Sequence, residues 1–414
     1  MAIIKAFKGL RPPEALAAKV AARPYDVLNS DEARVEAEGN PHSFLHVTKP
    51  EIDLPADLNP YDDRVYAKAK ENFALFLQKK YLVPDAADCL YVYRQIMGTH
   101  AQVGLVACSS VQDYWDDVIK KHEYTRPVKE NDRIRHMREI SAHSGPVFLA
   151  YPEVYAIDEI IDKVIADQDA DADLETPDEV RHTVWVIRDR STIQELTRLF
   201  RAKVPVTYIA DGHHRAASSA KVGKTMAEEN PNHTGEEAYN FFLSVLFPAD
   251  QLAIQDYNRV VRDLNGLSRE AFLQALSTDF DLEPVREAYK PDDNFCYGLY
   301  LPGQWYRMEI KTGLVDEDDP VASLDISVLS DRVISPILGI ADQRTDDRID
   351  FIGGIRGLAE LERRVDSGEM AAAFAIYPVS IGQLMDVADS GQVMPPKTTW
   401  FEPKLRSGLI VHKF

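Results

Sequence analysis

The chain has 414 residues, a formal charge of −20 at pH 7 and 45% apolar side chains. That length and apolar content suffice for a large buried core divided among two or three domains. The acidic balance argues against nucleic acid or an anionic membrane as a partner, because phosphate-rich surfaces attract basic ones by releasing counterions. Cys89, Cys108 and Cys296 lack any C-x-x-C or Cys/His ligand spacing, which argues against structural zinc and for a reducing compartment. The opening MAIIKAFKGLRPPEALAAKV scatters charges among its apolar residues and carries Pro12-Pro13 in its middle. It reads as neither a signal peptide nor a spanning segment, so a cytoplasmic protein is expected.

In chain order, Tyr25-Asp26 and Asn40-Pro41-His42-Ser43 are polar residues in turns. They suit recognition of a small polar ligand by Asp26 and His42, or capping of helices that start near Asp31 and Ser43. A charged amphipathic helix is expected over 63–80, then apolar strands over 90–97 and 102–108, two helical stretches, and a strand over 146–151. Between the strand over 102–108 and the strand over 146–151, residues 120–138 read KKHEYTRPVKENDRIRHMR, with seven Lys or Arg against three acids. A basic excess inside so acidic a chain suggests an anionic ligand: Arg133 offers a bidentate fork, His122 a second contact and Glu123 a base. Glu130, Arg135 and Arg138 read instead as a solvated helix face with i,i+4 pairs. The acidic run DQDADADLETPDE (167–179) reads as a self-repelling loop. It lacks the Gly and Glu of a calcium loop, offering Ala172 and Asp178 in their places.

From 181 the pattern is strand (182–187), helix (191–200) and strand (204–209), followed by DGHHR and a second helix, an α/β arrangement. Asp211-Gly212 is therefore a strand-to-helix turn. A helix opening there aims unpaired N–H groups and a partial positive charge at whatever lies over it, and Arg215 adds a guanidinium one turn in. That chemistry suits a phosphate held by Gly212, His214 and Arg215, with Arg215 meeting the ligand rather than holding the fold; the simpler alternative is that Asp211 only caps the helix. Further strands are expected over 240–248, 296–301 and the run ending at Gly353-Gly354, with a helical stretch over 323–337. At the C-terminus MPPKTTWFEPK forms a rigid loop whose Lys397 offers a phosphate a point charge.

DGHHR after a strand resembles the phosphate-binding turn of the ParB/sulfiredoxin-like superfamily, which includes free-serine kinases. The blocks ARPYDVLN (22–29), NPHSFLHV (40–47), KHEYTRPVKENDR (121–133), LDISVLSDRVISPILGI (324–340), RIDFIGG (348–354) and MPPKTTWFEPKLRSGL (394–409) are similar, in order, to those of domain-of-unknown-function family 1015. One departure is Asn258-Arg259, where that family's pattern has His-Arg. The resemblance implies an α/β (α+β) fold with a ParB/sulfiredoxin-like core at 181–262. An N-terminal α/β region (1–165) would carry the basic block, and a C-terminal α/β region (263–414) would close the site. It further implies a small-molecule phosphotransferase that uses ATP or ADP with Mg2+ at Asp211, with serine as the foremost acceptor and Asp211, His213 and Glu123 as catalytic groups. The alternative is a nucleotide- or metabolite-sensing regulator without turnover. A metallohydrolase fits less well, because His213-His214 are adjacent and no third ligand stands at a recognisable spacing.

Overall fold

The computed structural model describes all 414 residues, which form a mixed α/β architecture of thirteen α-helices and several sheets. No helix is long and apolar enough to cross a membrane. The chain makes two compact units, Met1–Leu252 with Pro403–Phe414, and Ala253–Glu402.

A nine-stranded sheet forms the first unit. Eight strands run in the order Ile119–Lys120, Thr207–Asp211, Val147–Tyr151, Phe241–Pro248, His100–Ser110, Leu90–Met97, Val180–Ile187 and Ala172–Glu175, while Ile4–Lys5 adds beside Cys108 and Ser109. Pairing is antiparallel except between Thr207–Asp211 and Ile119–Lys120 and between Phe241–Pro248 and Val147–Tyr151. These central strands are buried almost throughout, as strands with packed layers on both faces should be. Leu149, Phe200, Ile209, Ala216, Ala220 and Phe242 meet in one core cluster beneath the Asp211 turn.

Two local features aim that turn. The register of Thr207–Asp211 against Val147–Tyr151 slips between Ile209 and Asp211, and such an irregularity re-aims the side chains that follow it. Gly212 then adopts φ 96°, a left-handed value that a side chain resists, and the helix His213–Glu229 begins. That helix buries a face of small residues, Ala216, Ala217, Ser218, Ser219, Ala220 and Gly223. Small residues let the helix Pro127–Ile140 pack closely on it, and Ser218 Oγ donates to the Glu130 carbonyl at 3.1 Å. The basic block and the DGHHR turn are thus fixed to each other through two packed helices.

The second unit is organised on a six-stranded antiparallel sheet in the order Phe280–Val285, Gln304–Ile310, Cys296–Leu301, Ala372–Ile376, Tyr257–Val261 and Ile349–Gly353. The segment 181–262, read from sequence as one core, gives its first three strands to the first unit and Tyr257–Val261 to the second. Strand composition does not reveal which sheet a strand will join.

Three local expectations change. The acidic run contains the edge strand Ala172–Glu175, paired with Val180–Ile187, because Arg181 clamps Asp173 across the pair at 2.9 Å and offsets the repulsion. The helical stretch over 323–337 is a short helix, Asp325–Leu329, that passes into a π turn at Ser330–Ile334. Glu130, Arg135 and Arg138 do not pair along their own helix; they reach Lys221, Asp63 and Glu229 on other elements, and Glu130 is only 6% exposed.

Candidate functional site

The helix His213–Glu229 starts with Gly212 at its cap position and no side chain capping it. The Gly212 carbonyl accepts from Ala216 N–H at 2.9 Å. The N–H groups of His213, His214 and Arg215 precede the first intrahelical bond and face the turn. Asp211 therefore does not act as the cap. Its Oδ2 instead accepts from Arg215 at 2.6 Å, and its Oδ1 lies 3.8 Å from Lys404 Nζ.

Arg215 is 5% exposed and is held by two bonds, to Asp211 and to the Pro146 carbonyl at 2.7 Å, while its Nε has no partner. It holds the fold as well as facing the site, a structural role the sequence reading left out. Asp26 Oδ2 stands 3.8 Å from the same guanidinium. A Cβ on residue 212 would sit 2.9 Å from Arg215 Nε, so glycine is needed both for its φ and for the guanidinium folded over it. Burial alone would raise the Asp211 carboxyl, but Lys404, Arg215 and His213 outweigh it and hold it at about 2. Asp211 is thus a fixed anion and a poor base at neutral pH.

The two histidines are positioned by the loop before Pro127–Ile140. His214 Nε2 accepts from Arg126 N–H at 3.0 Å, and His213 Nε2 accepts, at 3.5 Å, from His122 N–H. His213 then carries its proton on Nδ1, which faces Glu123 Oε2 at 3.8 Å. Glu123 is half-exposed, whereas His213 is 5% exposed. Burial, and then His122, drives the His213 pKa well below its usual value. His122 packs edge-on against His213 with ring centroids 4.4 Å apart, and burial lowers its pKa to about 4 although Asp211 opposes the shift. His122 is 2% exposed and neither ring nitrogen has a partner. An unbonded buried polar atom costs about 1–3 kcal/mol, so two on one imidazole at this turn point to a ligand that completes them.

Arg133 stacks 3.9 Å from the centroid of the Tyr25 ring and forms two bonds to Asp132, at 2.9 and 2.6 Å. Together with Arg215, His136 and Ser407 it lines a cavity of about 20 Å3, room for about one water. His42 packs against Tyr81 with ring centroids 4.4 Å apart and the planes tilted by 53°, and no contact ties it to the Asp211 turn. Lys397, with φ 59°, belongs to the second unit, where its Nζ lies 5.9 Å from the centroid of the Tyr257 ring. Asn258, in place of the family's histidine, bonds Asp256 at 2.6 Å and receives Ile376 N–H at 2.9 Å, a structural use of the amide.

The structure thus brings Asp26, His122, Glu123, Arg133, Asp211, Gly212, His213, His214 and Arg215 into one neighbourhood. It adds Lys404, which the sequence reading did not select, and sets Tyr25 of the Tyr25-Asp26 turn under the Arg133 guanidinium. Lys404 stands in the same C-terminal block as Lys397, and no rule of spacing separates two lysines in an irregular segment. As a Mg2+ ligand Asp211 fits poorly, because both its oxygens already face cations and no group of three His, Cys, Asp or Glu could hold a metal ion. Mg2+ would need its ligands from phosphate oxygens and water.

Among solved structures, the chain is similar to a free serine kinase in complex with AMP, at 16% identity over 69% of this chain and 84% of that one, with a TM-score of 0.34. It is also similar to SbnI with C-terminal truncation from Staphylococcus aureus (11% identity, 73% and 85% covered, TM-score 0.38). A conserved hypothetical protein from Pyrococcus furiosus shares 14% identity over 70% and 90% of the two chains, with a TM-score of 0.33. Scores this low carry no argument about function. No curated protein matches the chain. The family model described as "Protein of unknown function (DUF1015)" matches residues 4–327, and the chain belongs to that family.

Proposed function

We propose that the first unit is a small-molecule phosphotransferase built on a ParB/sulfiredoxin-like core, in which ATP or ADP places a phosphate over the Asp211 turn. The uncapped helix start at Gly212, with the unpartnered His122 beside it, carries this reading. Three N–H groups and the helix dipole would meet the phosphate oxygens, and Arg215, fixed by Asp211 and Pro146, would add charge without reorganising. Phosphoryl transfer needs mainly positioning and charge neutralisation, and this neighbourhood supplies both.

The base is assigned to Glu123 rather than Asp211. Glu123 has solvent access and faces the Nδ1–H of a neutral His213, whereas Asp211 is neutralised by two cations. Glu123 takes the acceptor's hydroxyl proton as the new oxygen–phosphorus bond forms and the terminal phosphoanhydride bond of the nucleotide breaks, releasing ADP from ATP or AMP from ADP, and His213 orients its carboxylate. Asp26 and His122 are assigned to the acceptor, for which serine is the first candidate; Arg133, stacked on Tyr25 next to Asp26 in the chain, supports them.

Incubation with ATP or ADP and serine should yield phosphoserine, detected by mass spectrometry, and Glu123→Gln should lower turnover by about 10²–10⁴ while nucleotide affinity stays within about tenfold. Nucleotide binding with no phosphoserine would favour a sensing protein instead. Full activity in Glu123→Gln would place the base elsewhere.

A further inference from the structure

The second unit contains a cavity of about 560 Å3 whose wall is built on the block that opens LDISVLSDR. There the helix Asp325–Leu329 runs into the π turn Ser330–Ile334, in which Ser335 N–H reaches the Ser330 carbonyl at 2.9 Å. Such turns are rare and recur at binding sites. Ser330 Oγ donates to the Ile326 carbonyl at 2.6 Å and accepts from Gln343 Nε2 at 2.7 Å. With Nε2 fixed on Ser330, the other end of the Gln343 amide is fixed too, and its buried Oε1 has no partner. The hydroxyl of Ser327, a residue 5% exposed on the same wall, has none either.

The charges around the cavity set the sign of its ligand. Asp342 and Arg344 pair through two 2.9 Å bonds and cancel. That leaves Asp319, ionised and held by the N–H groups of Val321 and Ala322 at 2.8 and 2.9 Å, and the exposed Asp331. Apart from the Gln392 amide, which already bonds Asp319, a ligand here meets acceptor oxygens and two carboxylates with no free cation, an environment that favours a ligand that donates hydrogen bonds and carries positive charge. We infer that this cavity binds a small organic cation bearing a primary ammonium group, which would donate to Gln343 Oε1 and Ser327 Oγ and pair with Asp331 and Asp319. The inference stands on the second unit alone and does not depend on the phosphate reading.

Calorimetric titration of the full chain with 1,4-diaminobutane, ethanolamine and the neutral 1,4-butanediol tests it. At least one amine should bind saturably, the diol should not, and Asp331→Asn and Gln343→Leu should each weaken amine binding at least tenfold. Ser327→Ala, which removes only a buried hydroxyl, should weaken it about threefold with an unchanged melting profile. No saturable amine binding, equal binding of the diol, or unchanged affinity in both Asp331→Asn and Ser327→Ala would overturn the inference.

Discussion

All eleven histidines of the chain lie in the first unit and none in the second. The buried ones are kept neutral: burial lowers His122, His136 and His412 to about 4 and His182 to about 3, with His143 and His213 well below their usual value. The second unit shows the opposite perturbation. Asp325, 3% exposed, is raised by burial to about 7 despite bonds from backbone N–H groups. The first unit therefore buries six bases that refuse a proton beside one acid, Asp113, that burial raises to about 6, whereas the second buries Asp325, an acid raised further, and no histidine. The arginines repeat the contrast: Arg215 faces Asp211 and Asp26, whereas Arg259, 1% exposed, has the carbonyls of Tyr257 and Pro396 and the rings of Phe351 and Tyr257. Burial lowers the Arg259 pKa to about 9. Arg215 is thus arranged with acids around a turn, while Arg259 ties backbone together; Arg364, the other buried arginine of the second unit, pairs with Asp350 and Glu369.

The largest expected effect is a pH response of opposite sign in the two units. A histidine whose folded pKa lies below its unfolded value contributes stability that is present above pH 6.5 and lost as pH falls towards 4; for His122 alone this is on the order of 3 kcal/mol. An acid raised to about 7 behaves in reverse, so the second unit gains stability as pH falls from 7 towards 4, on the order of 4 kcal/mol from Asp325. Hydrogen exchange at pH 7 and 5, corrected for intrinsic rates, should show core amides of the first unit losing protection and those around Asp325 gaining it. Parallel changes in both units would break the comparison.

Next in size is Arg215→Ala, which leaves Asp211 and the Pro146 carbonyl without their main partner. A loss of about 3 kcal/mol is expected in denaturant unfolding. Arg259→Met, which keeps the volume and abandons no acid, should cost only about 1–2 kcal/mol for the two carbonyl bonds. Equal losses would mean that the two arginines do the same work.

Much of the Asp211 turn was legible because its signals are local: a β-branched strand, a glycine that must adopt positive φ, and polar side chains within one helical turn. The order of pairing was not, since Val147–Tyr151 lies between Thr207–Asp211 and Phe241–Pro248 and nothing in their composition says so. Lys404 was missed because its approach to Asp211 depends on the C-terminal segment returning to the first unit. The π turn at Ser330 was read as continuous helix because a single wider turn is too short to show a change of period in the apolar spacing. The edge strand in the acidic run was hidden by its charges, which Arg181 and Thr183 satisfy only once the strands pair.

Phosphate meeting the N–H groups at the Asp211 turn is directly observable. In deuterated, 15N-labelled protein, the amide resonances of His213, His214 and Arg215 should shift saturably on addition of ADP, with the same midpoint for all three. ADP binding that moves other resonances and leaves these three still would contradict it.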